Sequence, residues 1–177
     1  MESKRSFLFV TWEGGGNVPP VLGLATRLIK RGHRVRVLAE PCLLDAVRET
    51  GAEFSALKKH FTRTDRSIDM IKDSHAKPLT IPAVENILVR PALDVAKETL
   101  AVLGEKQFDV VAADFMMIGS LIAAEAIGVK RVALFHMPEY LPGPGRPPGG
   151  MGLLPSSSRL GVMRDKLLTK VFHRVIN

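Results

Sequence analysis

The sequence predicts an α/β fold, a Rossmann-like doubly wound parallel sheet, on three observations. Short apolar runs alternate with helix-period stretches, giving strand, helix, strand, helix, strand within about fifty residues, the spacing of successive βαβ units. A glycine-rich loop, Gly14-Gly-Gly16, separates the first apolar run from the first helical stretch. The alternation resumes from Phe108 to Phe135.

Phe7–Val10 is apolar throughout, as a strand buried on both faces requires. Gly14–Gly16 allow a sharp turn, and Pro20 suits a first helical turn, where its missing N–H costs nothing. Val21, Leu24, Ala25 and Leu28 recur at helical spacing up to the stop at Gly32. Arg34–Ala39 reads as a strand, Pro41–Gly51 as a helix with its stop, and Ala52–Leu57 as a third strand. From Lys58 to Pro82 the pattern weakens into a long loop, a feature usually tied to function. Ala83–Leu103 is helical in spacing (Ile87, Leu88, Val95, Ala96, Leu100, Leu103), with Pro91 set to kink or divide it. Phe108–Asp114 is a fourth strand, Phe115–Ser120 a turn, Leu121–Ile127 a helix stopped by Gly128, and Lys130–Phe135 a fifth strand. His136–Ser158 carries six prolines among its glycines and reads as an irregular loop. Leu160–Asn177 is an amphipathic helix with the stripe Leu160, Met163, Leu167, Val171.

At 177 residues the chain is expected to form one domain, 1–177, burying about 70 % of its unfolded surface. No apolar run is long enough for a membrane span, and Met-Glu-Ser-Lys-Arg leads into a strand without a signal-peptide pattern. The single cysteine, Cys42, rules out an internal disulfide and fits a reducing, cytoplasmic location. The net charge of +7 favours anionic ligands. The excess is spread: Lys58–Lys77 holds six basic and three acidic residues, Arg159–Arg174 five and one. Neither stretch interleaves aromatics for stacking on bases, so nucleic acid is not an expected partner. His60, His75 and His173 have no metal-ligand spacing with one another or with Cys42, and no metal is expected.

Gly16-Asn-Val-Pro-Pro-Val-Leu-Gly-Leu-Ala25, followed by Arg31-Gly-His-Arg-Val35, resembles the N-terminal signature of the UDP-glycosyltransferase family (GT-B fold, glycosyltransferase family 1). The resemblance spans nearly all of this chain and less than half of a complete enzyme. It implies the N-terminal, acceptor-binding half of a GT-B enzyme. That half works with a nucleotide sugar (UDP- or dTDP-linked) held mainly by a C-terminal domain, present in cis or in trans. The implied reaction is sugar transfer to a hydroxyl of an apolar small molecule, with no cofactor and with this chain inactive alone. In its family pattern a histidine acts as base where this chain has Asn17, and a carboxylate in an Asp-Phe pair supports it, matching Asp114-Phe115. The resemblance also sets the 58–82 loop over the acceptor.

Asn17 orients a hydroxyl but takes no proton at neutral pH. Three compensations are open. Asp114 accepts the proton directly or through water, another histidine such as His136 serves, or an acidic acceptor needs little help. The plain alternative for Asp114 is closing its turn or capping a helix. His136 follows the fifth strand and should point into the same cleft, whereas His33 belongs to the opposite end of the sheet. Trp12, Gly15, Gly16, Phe115, Met116, Met137 and Tyr140 are the expected acceptor contacts, a set rich in adaptable apolar side chains. The amides of Gly14–Asn17 are candidates to approach the donor phosphate.

Two other readings stand beside this one. A non-catalytic acceptor- or membrane-docking subunit would use the basic helix Leu160–Asn177 against a partner or anionic lipid. An NAD-binding module would use Glu40, at the end of the second strand, for the ribose, although Pro19 stands where the fingerprint needs its third glycine. A lone half with an uncovered face is also expected to form a homodimer.

Overall fold

The computed structural model describes residues 3–67, 88–136, 146–147 and 153–176. The chain divides into two compact units, Met1–His136 and Met137–Asn177.

The first unit is a five-stranded, all-parallel sheet: β1 Ser6–Val10, β2 Arg34–Ala39, β3 Glu53–Ala56, β4 Val110–Asp114 and β5 Lys130–Leu134, in the order β3-β2-β1-β4-β5. Its helices are α1 Val18–Lys30, α2 Leu44–Glu49 after a 3-10 turn at Pro41–Leu43, α3 Ala92–Glu105 and α4 Ile118–Ala126. The strand order reverses between β1 and β4, the kind of point at whose C-terminal edge open parallel sheets bind ligands.

Strand alternation divides the core between the two faces. Phe9, Val35, Val37, Ala39 and Ala112 pack with Val18, Val21 and Ala25 of α1 and Val47 of α2. Leu8, Val10, Leu38, Val111 and Ala113 pack with Val95 and Val102 of α3 and Ala124 of α4. The expected apolar faces shift slightly. Leu24 is exposed, and α1, starting two residues before Pro20, adds Val18 to the buried stripe of Val21 and Ala25. On α3 the buried line is Val95, Thr99, Val102, with Leu100 outside it, and the helix begins directly after Pro91. The part of the expected 83–103 helix at 83–87 lies outside the described residues.

α4 begins at Ile118, within the stretch read as a turn, because its small residues allow close contact with α3. A Cβ on Gly119 would lie 2.0 Å from the Ala92 carbonyl oxygen. One residue on, the buried hydroxyls of Thr99 and Ser120 meet at 2.9 Å. β5 is an edge strand with Val132 exposed.

In the second unit, α5 (Arg159–Ile176) carries the expected stripe of Leu160, Met163, Leu167 and Val171, all exposed. No helix among the described residues is long and apolar enough to cross a membrane.

Candidate active site

The loop after β1 is built around one indole. Trp12 is buried against Phe61, ring centroids 5.8 Å apart. A Cβ on Gly14 would come within 2.9 Å of both that indole and the Asn17 side chain, so the close approach requires glycine. Gly15 turns the chain at φ +82°, a conformation that disfavours residues with a Cβ. Asn17 then precedes the first turn of α1.

Asn17 and Asp114 meet beyond the C-terminal ends of β1 and β4. The Asn17 amide donates to Asp114 Oδ2 at 2.7 Å and to the Trp12 carbonyl at 2.8 Å. Its Oδ1 accepts from the Gly14 N–H at 3.1 Å. This fixes which way the amide faces, since a half-turn would aim its NH2 at the Gly14 donor. Asp114 Oδ1 accepts from the Met116 N–H at 2.9 Å, and the carboxylate is only 1 % exposed. His136 Nε2 lies 3.3 Å from Asp114 Oδ2, its ring buried and without an aligned hydrogen bond at that nitrogen. Three of the expected residues, Asn17, Asp114 and His136, are therefore one cluster at the C-terminal sheet edge.

The other expected contacts divide. Gly15 and Gly16 are exposed beside the cluster. Phe115 is half-buried and stacks on exposed Phe135, centroids 5.1 Å apart and planes within 14°. Trp12 is buried in the core, and Met116 is partly buried against it. Met137 and Tyr140 lie outside the described residues, as does most of the 58–82 loop beyond Ser67. His33 sits at the opposite edge, accepting from the Arg5 N–H at 3.3 Å beside Phe7, where a cleft lined by Ser3, Arg5, Phe7 and His33 opens.

Two expectations are corrected. The Gly14 and Gly15 amides are not open to a phosphate: Gly14 N–H is taken by Asn17 and Trp12, and Gly15 N–H donates to Glu13 Oε1 at 2.8 Å. Glu40 is not open to a ribose either. It is fully buried, and Arg63 holds it with a two-pronged ion pair, Nε to Oε2 at 2.7 Å and Nη2 to Oε1 at 2.8 Å. That removes the acid on which the NAD-binding reading depended.

Sequence reasoning did not find Arg63, Glu13 or Phe135. Glu13 and Glu40, acids placed just after apolar strands, signal only that buried carboxylates there need a cation; which basic residue supplies it is not marked locally. Cys42 is half-exposed, and burial, then the negative charge of Glu40, push its thiol above the usual range. Among the described residues, no group of three or more His, Cys, Asp or Glu side chains is placed to hold a metal ion.

No protein-family model matches the chain. It is 28 % identical over 173 residues to 4'-demethylrebeccamycin synthase of Lentzea aerocolonigenes, covering 96 % of this chain and 41 % of that protein. It is 32 % identical over 151 residues to glycosyltransferase GtfE of Amycolatopsis orientalis, covering 77 % of this chain and 32 % of that protein. Among solved structures, the calicheamicin glycosyltransferase CalG4 superposes with a TM-score of 0.59 at 26 % identity, over 75 % of this chain and 32 % of that one. The glycosyltransferase SnogD of Streptomyces nogalater shares the fold with a TM-score of 0.58 at 20 % identity, over 97 % of this chain and 42 % of that one. The chain thus spans well under half the length of the relatives it matches.

Proposed function

From the premise that this chain is a homologue of the GT-B glycosyltransferases, we propose that it is their acceptor-binding part, serving sugar transfer from a nucleotide sugar to a hydroxyl of an apolar small molecule. The observation that carries this reading is the 2.7 Å contact between Asn17 and Asp114, at the point where the strand order reverses. Parallel sheets bind ligands there. The contact joins the two positions that the family resemblance pairs as base and supporting carboxylate, with an amide in place of the imidazole.

The reaction is a single displacement. The acceptor oxygen bonds to the anomeric carbon, the bond from that carbon to the leaving phosphate oxygen breaks, and the hydroxyl proton passes to a base. Asn17 cannot be that base, and its two carboxamide ends are already engaged. We assign the proton to the Asp114–His136 pair, whose closest atoms are 3.3 Å apart. Asn17 and the Met116 N–H hold the carboxylate still, as preorganised sites do. Gly15, Gly16 and the Phe115–Phe135 stack line the approach, an arrangement suited to an acceptor with a flat apolar body. The nucleotide sugar is bound mainly by a C-terminal domain supplied in cis or trans. The single cysteine supports a reducing, cytoplasmic setting.

The test is a mass-spectrometric transfer assay with the purified chain, a panel of nucleotide sugars, and phenolic, steroid and macrolide acceptors, run beside equilibrium binding of each acceptor. The reading expects saturable acceptor binding, no product from this chain alone, and product when a C-terminal GT-B domain is added. Product from the chain alone would show that it holds a complete site, as a monomer or a homodimer. Binding without product even with the added domain would favour a non-catalytic docking subunit, which the missing base at Asn17 supports. No binding of any acceptor would overturn the proposal.

A further inference from the structure

The shape of the Gly-rich loop is set by an ion pair contributed from elsewhere in the chain. Arg63 lies in the stretch after β3, and Glu40 directly follows β2. Their two-pronged pair closes under the loop after β1 and holds both backbone groups of Glu13. Glu40 Oε1 accepts from the Glu13 N–H at 3.1 Å, and Arg63 Nη2 donates to the Glu13 carbonyl oxygen. The Arg63 carbonyl in turn accepts from the Cys42 N–H at 2.8 Å, binding the 3-10 turn into the same assembly. Arg66 Nε approaches Glu13 Oε2 at 2.6 Å, so two acids face two guanidinium groups. The stretch carrying Arg63 is itself anchored. Phe61 is buried on Trp12, the Lys58 N–H donates to Glu98, and Lys59 and His60 both bond Asp94 of α3.

We propose that Arg63 and Glu40 are positioning residues of the acceptor site: by fixing Glu13 they fix Trp12 before it and Asn17 after it, and so hold the Asn17 amide against Asp114. The inference rests on the acceptor-site reading only for its functional consequence. Its structural content stands on the contacts above. A guanidinium is suited to this task because its fork matches the carboxylate in one plane, with a donor left over for the Glu13 carbonyl. An ammonium keeps the charge but not the fork.

Trp12 is the chain's only tryptophan, so its fluorescence reports on this loop alone. The experiment compares wild type with the double variant Glu40→Gln/Arg63→Gln, which leaves no stranded buried charge, and with Arg63→Lys. Three quantities are read: the far-UV melting curve, the acrylamide quenching constant of Trp12 well below the melt, and the acceptor dissociation constant. The proposal expects a cooperative melt in the double variant, with Trp12 quenched roughly threefold more strongly, as when a loop loosens locally. Acceptor binding should weaken about tenfold or more, the usual size of the loss when supporting groups are removed from a site. Arg63→Lys should fall between. A merely structural role would lower the melting temperature and leave Trp12 shielded below it, and that result overturns the proposal. If the double variant does not fold, Arg63→Lys decides on the same criterion. If wild type binds no acceptor, the functional reading fails, while Trp12 quenching still decides whether Arg63 and Glu40 position the loop.

Discussion

Asp114→Asn removes a charge and changes almost nothing in size, so its effect can be worked from hydrogen bonds alone. The carboxylate accepts from two donors at opposite oxygens, the Asn17 amide at 2.7 Å and the Met116 N–H at 2.9 Å. An amide at position 114 has one acceptor end and one donor end. If its oxygen faces Asn17, its NH2 meets the Met116 N–H; turned over, it meets the Asn17 NH2. Asn17 cannot turn to relieve this, because its own oxygen is held by the Gly14 N–H. One buried donor is left without an acceptor in either case, which costs about 1–3 kcal/mol. For a chain of this size that is a fall of roughly 3–10 °C in melting temperature, measurable by circular dichroism or calorimetry. Under the proposed function, turnover measured with a C-terminal GT-B domain supplied should drop by about a hundredfold or more, the usual contribution of an acid–base group. A variant that melts with wild type would mean that the two donors are not held by the carboxylate. Full turnover at normal stability would remove Asp114 from the proton path.

Three further outcomes are expected. Gly119→Ala, ordinarily stabilising in a helix, should instead cost about 2 kcal/mol or more, because the new Cβ would fall 2.0 Å from the Ala92 carbonyl oxygen; a melt at or above wild type contradicts this. The Ser6 N–H and hydroxyl hold the Asp109 carboxyl below the usual carboxylate range. Its contribution is therefore present above an unfolded pKa of about 4 and is lost as pH falls through the lower folded value. Wild type should melt above Asp109→Asn at pH 6, and the gap should narrow as pH falls below about 4; a constant gap would show that the charge is not responsible. Cys42, its thiol raised by burial and by Glu40, should be alkylated by iodoacetamide at pH 7 more slowly than free cysteine, and equal rates would show an accessible, unperturbed thiol.

Most of the sheet was legible because parallel strands buried on both faces read as plain apolar runs, and the glycines at 14–16, 32, 51 and 128 mark the turns between elements. Arg34–Ala39 and Lys130–Leu134 open on charged residues and are marked instead by the glycine stops at Gly32 and Gly128 and the apolar residues that follow. The faces of α1 and α3 were less legible. Helical spacing alone leaves the edges of a face open: Leu24 and Leu100 fit the period yet lie outside, while Val18 and the polar Thr99 turn inward. The start of α4 was missed because Gly119 and Ser120 look like turn residues until α3 is seen pressed against them. At the site, Asp114 was found from its place at a strand end and Asn17 from the family resemblance, and the topology brings the two together. Arg63 was not found because its role depends on a contact with Glu40 across 23 residues, and no local pattern signals it. Glu40 was seen, but its acid in a nucleotide-binding position reads the same whether it meets a ribose or an arginine.

The most direct test of the account is a map of backbone amide chemical shifts in the isotopically labelled chain as a flat apolar phenol is titrated in. Saturable shifts are expected at Gly14–Asn17, Phe115, Met116 and His136, all at the C-terminal edge of the sheet, with Asp114→Asn weakening the binding. Shifts confined to the opposite edge, around Arg5 and His33, or no saturable shift with any acceptor, would contradict an acceptor site built on Asn17 and Asp114.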